Sequence, residues 1–128
     1  MGRNVTMGYT ISKDFHFSAS HQLMGLEEGH QCGRVHGHNY VIRVTLKGDT
    51  LDKDGFILDY GRLSPFGKYL DATFDHRHFN DILDFQPSSE NFSKFLTEKV
   101  RELCPIPDGV KIAVAVSETP RSWAEWSE

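Results

Sequence analysis

The sequence predicts an α+β protein: a four-stranded antiparallel sheet with two helices on one face only. Three observations predict it. Strict apolar alternation, the period of a half-buried strand, runs through residues 36–47 and 109–118, and more loosely through 8–21. Two stretches of helical period, near 61–72 and 90–103, stand together between the second and third strands. The order β-β-α-α-β-β therefore puts both helices on one side, the arrangement of an antiparallel sheet with one covered face.

The first strand, 8–21, sets Tyr9, Ile11, Phe15, Phe17, Ala19 and His21 on one side. Residues 22–34 carry Gly25, Gly29 and Gly33 among charges and are expected to form a mobile loop. In the second strand Tyr40, Ile42, Val44 and Leu46 face the core, while Asn39, Val41, Arg43, Thr45 and Lys47 make a more polar reverse face. Gly48 to Gly55 is a turn. The first helix places Leu63, Phe66, Leu70 and Phe74 inward, and Pro65 is tolerable because it falls in the opening turn. Ser88 or Ser89 caps the second helix, which presents Phe92, Phe95, Leu96, Val100 and Leu103 until Pro105 and Pro107 stop it. Val110, Ile112, Val114, Val116 and Glu118 share a face of the third strand, with small residues between them, and 122–126 is expected to pair with it as a short fourth. The small, polar reverse face suits either water or the shared interior of a ring of subunits.

At 128 residues the chain is expected to form a single domain over residues 8–128 after a flexible lead-in of residues 1–7, Met7 being an alternative start. A net charge of -4 argues against nucleic acid or an anionic membrane as the main partner. No apolar run approaches the roughly 20 residues that span a bilayer, and no signal peptide is evident. Two cysteines far apart are no disulfide framework, so a reducing cytoplasm is the expected setting.

The chemistry concentrates in Gln31-Cys-Gly-Arg-Val-His-Gly-His-Asn-Tyr40. His36 and His38 share a strand face about 7 Å apart, and Gly37 between them leaves room for a close backbone approach. His21, on the core side at the end of the first strand, is the third imidazole of a candidate zinc centre. His-x-His is unspecific by itself. With Cys32 close by, two zinc readings stand open: a closed structural site in which Cys32 is the fourth ligand, or an open site with Cys32 as a free thiolate. Asp75-His76 suits a carboxylate-oriented base as well as a capping aspartate beside an exposed histidine; Arg77 and His78 are expected to face solvent. Glu118, at the end of an apolar strand face, needs a partner or a ligand unless solvated. Glu90 reads as a favourable first-turn charge, and Cys104 as buried packing.

Phe17-Ser-Ala-Ser-His21, Cys32-x3-His36-Gly-His38-Asn-Tyr40, Asp75-His76-Arg77, Ser88-Ser-Glu-Asn91 and Glu118-Thr119 together resemble the 6-pyruvoyltetrahydropterin synthase family. The three-residue spacing from Cys32 to His36 is similar to its bacterial 6-carboxytetrahydropterin synthase branch, in the queuosine pathway. The resemblance covers nearly the whole chain after residue 7. It departs at Ser88 and Ser89, where threonine is frequent, and in the short, Trp-rich last strand. It implies a tunnelling fold, sheets of three subunits closing into a barrel, and two trimers stacked as a homohexamer with shared active sites. It also implies 7,8-dihydroneopterin triphosphate as substrate and Zn2+ on His21, His36 and His38. Cys32 would then be the catalytic thiolate, Asp75 and His76 a proton relay, and Glu118 the anchor of the pterin, helped by Ser88 and Ser89 from a neighbouring subunit. A 6-pyruvoyl product from the same substrate is the alternative activity, and a non-catalytic zinc module the alternative class. No basic cluster for the triphosphate can be assigned.

Overall fold

The computed structural model describes residues 8–128, so the expectation for residues 1–7 lies outside the described residues. Strand β1 (Tyr9–His21) pairs with β2 (His36–Gly48) in a register running from Tyr9 opposite Gly48 to His21 opposite His36. The chain then leaves the sheet for its helical layer: α1 (Ser64–Thr73), entered through a 3-10 turn at Tyr60–Leu63, and α2 (Ser89–Leu103). It returns as β3 (Lys111–Thr119) and β4 (Ser122–Ser127). The sheet order is β1-β2-β3-β4, with every pairing antiparallel.

The first helix starts later than its apolar spacing suggests because Asp59 and Gly61 open a 3-10 turn, the Asp59 carboxylate accepting from the Gly61 N–H at 2.9 Å. Ser88 caps α2 by accepting from the Asn91 N–H at 3.2 Å.

Burial follows the alternation in β1 and β2, whereas in β3 the small reverse-face residues Ala113, Ala115 and Ser117 are buried as well. Phe17, Tyr40, Ile42, Val44, Leu46, Ile112, Val114 and Val116 project from the sheet onto Phe66, Leu70, Phe74, Phe79, Phe92, Leu96 and Val100. The centre is aromatic: Phe79 lies 4.6 Å from Phe92 and 5.0 Å from Tyr40, ring centre to ring centre. Each such ring, taken wholly out of water, contributes about 1.5–3 kcal/mol of transfer free energy. Tyr40 thus belongs to both the core and the site above it.

On the reverse face Arg43 grips Asp14 through two bonds of 2.8 and 3.0 Å, and its guanidinium lies over the Trp123 ring at 4.7 Å. The end of β1 is covered by residues 76–78: His76 N–H donates to the Ser18 carbonyl and Ser20 N–H to the Arg77 carbonyl. This gives a parallel bridge between Ser20 and His78. His78 accordingly corrects an expectation. Its Nδ1 lies 2.9 Å from the Ser20 hydroxyl and the residue is half-buried, whereas Arg77 is exposed as expected. The segment 22–34, expected as a mobile loop, holds a 3-10 turn at Gln31–Gly33 and is tied down by Leu23 N–H to the Cys32 carbonyl at 3.0 Å. Among the described residues no helix is long and apolar enough to cross a membrane.

Candidate active site and metal centre

Strand pairing, rather than spacing along one strand, assembles the three imidazoles. His21 and His36 are the last pair of the β1–β2 ladder, and His38 lies two residues back on the same face. Their ring centres stand 4.6, 5.1 and 4.8 Å apart, and one ligand atom from each falls within 4.8 Å of the others. The rings thus converge more tightly than the pitch along a strand predicts. Gly37 is not crowded: an added Cβ would meet the Ala19 carbonyl oxygen at 3.4 Å, the edge of ordinary contact.

The hydrogen bonds fix the tautomers. His21 Nδ1 lies 2.8 Å from the Pro87 carbonyl oxygen, and His36 Nδ1 lies 2.7 Å from that of Arg34. A carbonyl oxygen only accepts, so both Nδ1 atoms carry the hydrogen and both neutral rings present a bare lone pair at Nε2. Those two Nε2 atoms are 3.0 Å apart. Two lone pairs at that separation repel unless a cation or a proton lies between them. His38 Nε2 is the one buried side-chain nitrogen or oxygen among the described residues without a hydrogen-bond partner. It faces Glu118 Oε2 at 3.3 Å, and His21 Nε2 lies 3.8 Å from Glu118 Oε1.

Burial, the largest influence, pushes His21 and His38 below the ordinary histidine range, against the pull of the Glu118 carboxylate. Neutral imidazoles with their Nδ1 atoms tied to backbone are the form in which histidine binds a divalent metal. The donor set therefore fits a metal ion held by His21, His36 and His38. The hydroxyl of the buried Tyr40, 3.3 Å from His21 Nδ1, is kept protonated because burial and then the Glu118 charge raise its pKa.

Glu118 reaches this position from the end of β3, where the β3–β4 register shifts between Val116 and Thr119. It is half-buried and accepts a 2.5 Å bond from the Ser89 hydroxyl at the start of α2. Ser88, Ser89 and Glu118, with Leu23 and Trp123, line a cavity of about 250 Å³. Ser89 therefore meets Glu118 within one chain. Leu23 and Trp123 escape sequence reasoning, although two tryptophans in so short a last strand were a signal.

Asp75 and His76 touch, Oδ1 to Nδ1, at 3.0 Å. Asp75 also accepts from the Ser18 N–H at 3.1 Å; that bond, and then His76, hold its carboxyl below the ordinary range. It therefore ties down β1 and orients His76 rather than capping a helix. His76 has the left-handed backbone (φ 59°), strained for a residue with a Cβ, and its side chain is 82% exposed. The contacts of this pair run to β1, not to the three imidazoles.

Cys32 sits half-buried on the 3-10 turn, its N–H donating to His30 Nδ1 at 3.1 Å. It is not among the ligand atoms gathered around the metal position. Cys104 is buried, and burial raises its pKa, as a packing thiol requires.

The site is thus a three-imidazole cluster able to hold a metal ion, beside a cavity lined by a carboxylate, on a one-sided antiparallel sheet. The chain belongs to the 6-pyruvoyl tetrahydropterin synthase family, whose model matches residues 10–128. It is 32% identical over 124 residues to 6-carboxy-5,6,7,8-tetrahydropterin synthase of Bacillus subtilis, covering 90% of this chain and 82% of that one. It is 36% identical over 101 residues to the protein of the same name from Rickettsia typhi, covering 77% and 70%. The Caenorhabditis elegans 6-pyruvoyl tetrahydropterin synthase structure superposes with a TM-score of 0.81 at 26% identity, over 94% of this chain and 95% of that one.

Proposed function

We propose that the protein is a zinc-dependent lyase, a 6-carboxytetrahydropterin synthase of the queuosine (7-deazapurine) pathway. It converts 7,8-dihydroneopterin triphosphate and one water to 6-carboxy-5,6,7,8-tetrahydropterin, acetaldehyde and triphosphate, the water supplying the second carboxylate oxygen. The observation that carries the reading is the convergence of His21, His36 and His38, one ligand nitrogen from each within 4.8 Å of the others, beside the cavity that Glu118 lines. The relatives from Bacillus subtilis and Rickettsia typhi support the carboxy branch.

His21, His36 and His38 hold the zinc, which when bound supplies Lewis acidity toward the substrate's side-chain oxygens and acidifies the adjoining carbons. Cys32, as thiolate, takes the side-chain proton. Asp75 holds the Nδ1–H of His76, leaving the exposed Nε2 to accept and return protons. Glu118 receives the amino-pyrimidine edge of the pterin through two charge-assisted bonds, and the Ser88 and Ser89 hydroxyls fix that carboxylate and the ring. Because the hydrogen bonds of Asp75 and His76 run to each other and to β1 rather than to the imidazoles of their own chain, the reading includes active sites shared between subunits. It extends to a barrel of sheets assembled as a homohexamer, residues 8–128 acting as one pterin synthase domain, and a cytoplasmic setting.

The experiment is product analysis by mass spectrometry after incubating the zinc-loaded protein with 7,8-dihydroneopterin triphosphate. The 6-carboxy product with stoichiometric acetaldehyde is expected. A 6-pyruvoyl product would move the protein to the other branch. No product, together with release of the metal on alkylating Cys32, would make it a zinc-binding module.

A further inference from the structure

Immediately after His21 the backbone of Gln22–Met24 leaves the sheet, yet two side-chain amides satisfy it as a neighbouring strand would. Asn80 Oδ1 accepts from the Gln22 N–H at 2.9 Å while its Nδ2 donates to the Gln22 carbonyl at 2.8 Å. Gln86 Oε1 accepts from the Met24 N–H at 2.9 Å while its Nε2 donates to the Met24 carbonyl at 2.8 Å. A primary amide offers one donor and one acceptor side by side, so each acts as a rung of a β ladder. Leu23, between the two, turns its N–H the opposite way, to the Cys32 carbonyl at 3.0 Å, and the Gln22 side chain donates to the Gly33 carbonyl at 2.7 Å. The strip is thus held on one edge by Asn80 and Gln86, and on the other it holds the turn that carries Cys32.

We infer that Asn80 and Gln86 are positioning residues for Cys32, fixing its turn relative to the metal ligands through Gln22–Met24. The inference rests on the proposed role of Cys32 as the group that takes the substrate proton. Three features join the strip to the rest of the site. It begins at the metal ligand His21. Gln86 precedes Pro87, whose carbonyl orients His21. The Gln86 carbonyl also accepts from Asn91 Nδ2 at 3.0 Å, which anchors the clamp to the start of α2. A reacting group displaced by about 1 Å can lose on the order of 100-fold in rate, so holding this turn is a kinetic matter more than one of stability.

Asn80→Asp and Gln86→Glu are near-isosteric tests. Each keeps the accepting oxygen and replaces the donor NH2 with an oxygen that opposes a backbone carbonyl. The expected result for each is a kcat lower by about 10- to 100-fold with KM within about twofold. Amide hydrogen exchange should quicken over residues 22–34 while zinc content stays at the wild-type value. Iodoacetamide should alkylate Cys32 faster than in the wild type. Unchanged kcat with faster exchange would overturn the inference, as would a loss of zinc in step with activity, which would make the clamp a support of the metal centre alone. Cys32→Ala, assayed in parallel, separates the two levels: full turnover there removes the role of Cys32 itself. An inactive Cys32→Ala beside fully active clamp variants removes only the inference. Gln86→Glu lies at the more exposed clamp and carries the test by itself if Asn80→Asp does not fold.

Discussion

At the scale of single residues, two carbonyl oxygens decide what His21 and His36 can do. By accepting hydrogen bonds from the Nδ1–H groups, the Pro87 and Arg34 carbonyls leave both Nε2 atoms bare and facing one another. Removing one imidazole ends that arrangement, because two ligands no longer hold a zinc ion firmly. His36→Ala is therefore expected to lose most of its zinc and all turnover while keeping its fold, as read by metal analysis and circular dichroism; full occupancy would refute the assignment. The sequence shows these histidines because a ligand on an alternating strand has a predictable side. It also singles out Cys32, Asp75, His76 and Glu118, whose chemistry stands out against their neighbours; of these the structure brings Glu118 to the imidazoles. Asn80, Gln86 and His78 stay hidden, since polar groups in loops follow no period and their partners lie 58 to 62 positions away.

At the scale of elements, the start of α2 does two tasks. Ser88 caps the helix, and Ser89 donates to Glu118 across the gap to β3. Ser88→Ala is expected to lower stability by about 1 kcal/mol, the usual loss on deleting an N-cap, as measured by urea denaturation. A loss below about 0.3 kcal/mol would show the Asn91 N–H to be satisfied by solvent instead. The strands and both helices were legible because periods of 2 and 3.6 survive in the sequence. The boundaries were not, since the 3-10 turn before α1 and the irregularity between β3 and β4 are set by local hydrogen bonds. The meeting of Ser89 with Glu118, 29 positions apart, is a product of topology that neither element announces.

For the whole molecule, the buried imidazole cluster sets a pH dependence. In the unfolded chain His21 and His38 titrate near 6.5, while in the folded, metal-free protein burial keeps both lower. Below pH 6.5 the unfolded state therefore takes up protons that the folded state refuses, and stability falls as pH falls; above it this contribution is level. Carboxylates held low by their partners, such as Asp14, Asp75 and Glu128, contribute stability that is lost only below their ordinary values of 3.8 to 4.5. The window between pH 5 and 6.5 thus belongs to the histidines. Thermal midpoints of the chelator-treated protein are expected to drop across that window, and a flat profile would contradict the burial of neutral imidazoles.

The two tryptophans give this molecule an optical readout. Trp126 pairs opposite Val114, with the Lys94 ammonium over its ring, on the helix side of the sheet. Trp123 has the Arg43 guanidinium on the reverse face and lines the cavity that Glu118 floors. Trp126→Phe therefore leaves a single emitter beside that cavity, and a pterin lacking the triphosphate should quench its fluorescence in a saturable titration. The same titration of Trp123→Phe should give a clearly weaker response, so that occupancy of the cavity can be followed by light without turnover.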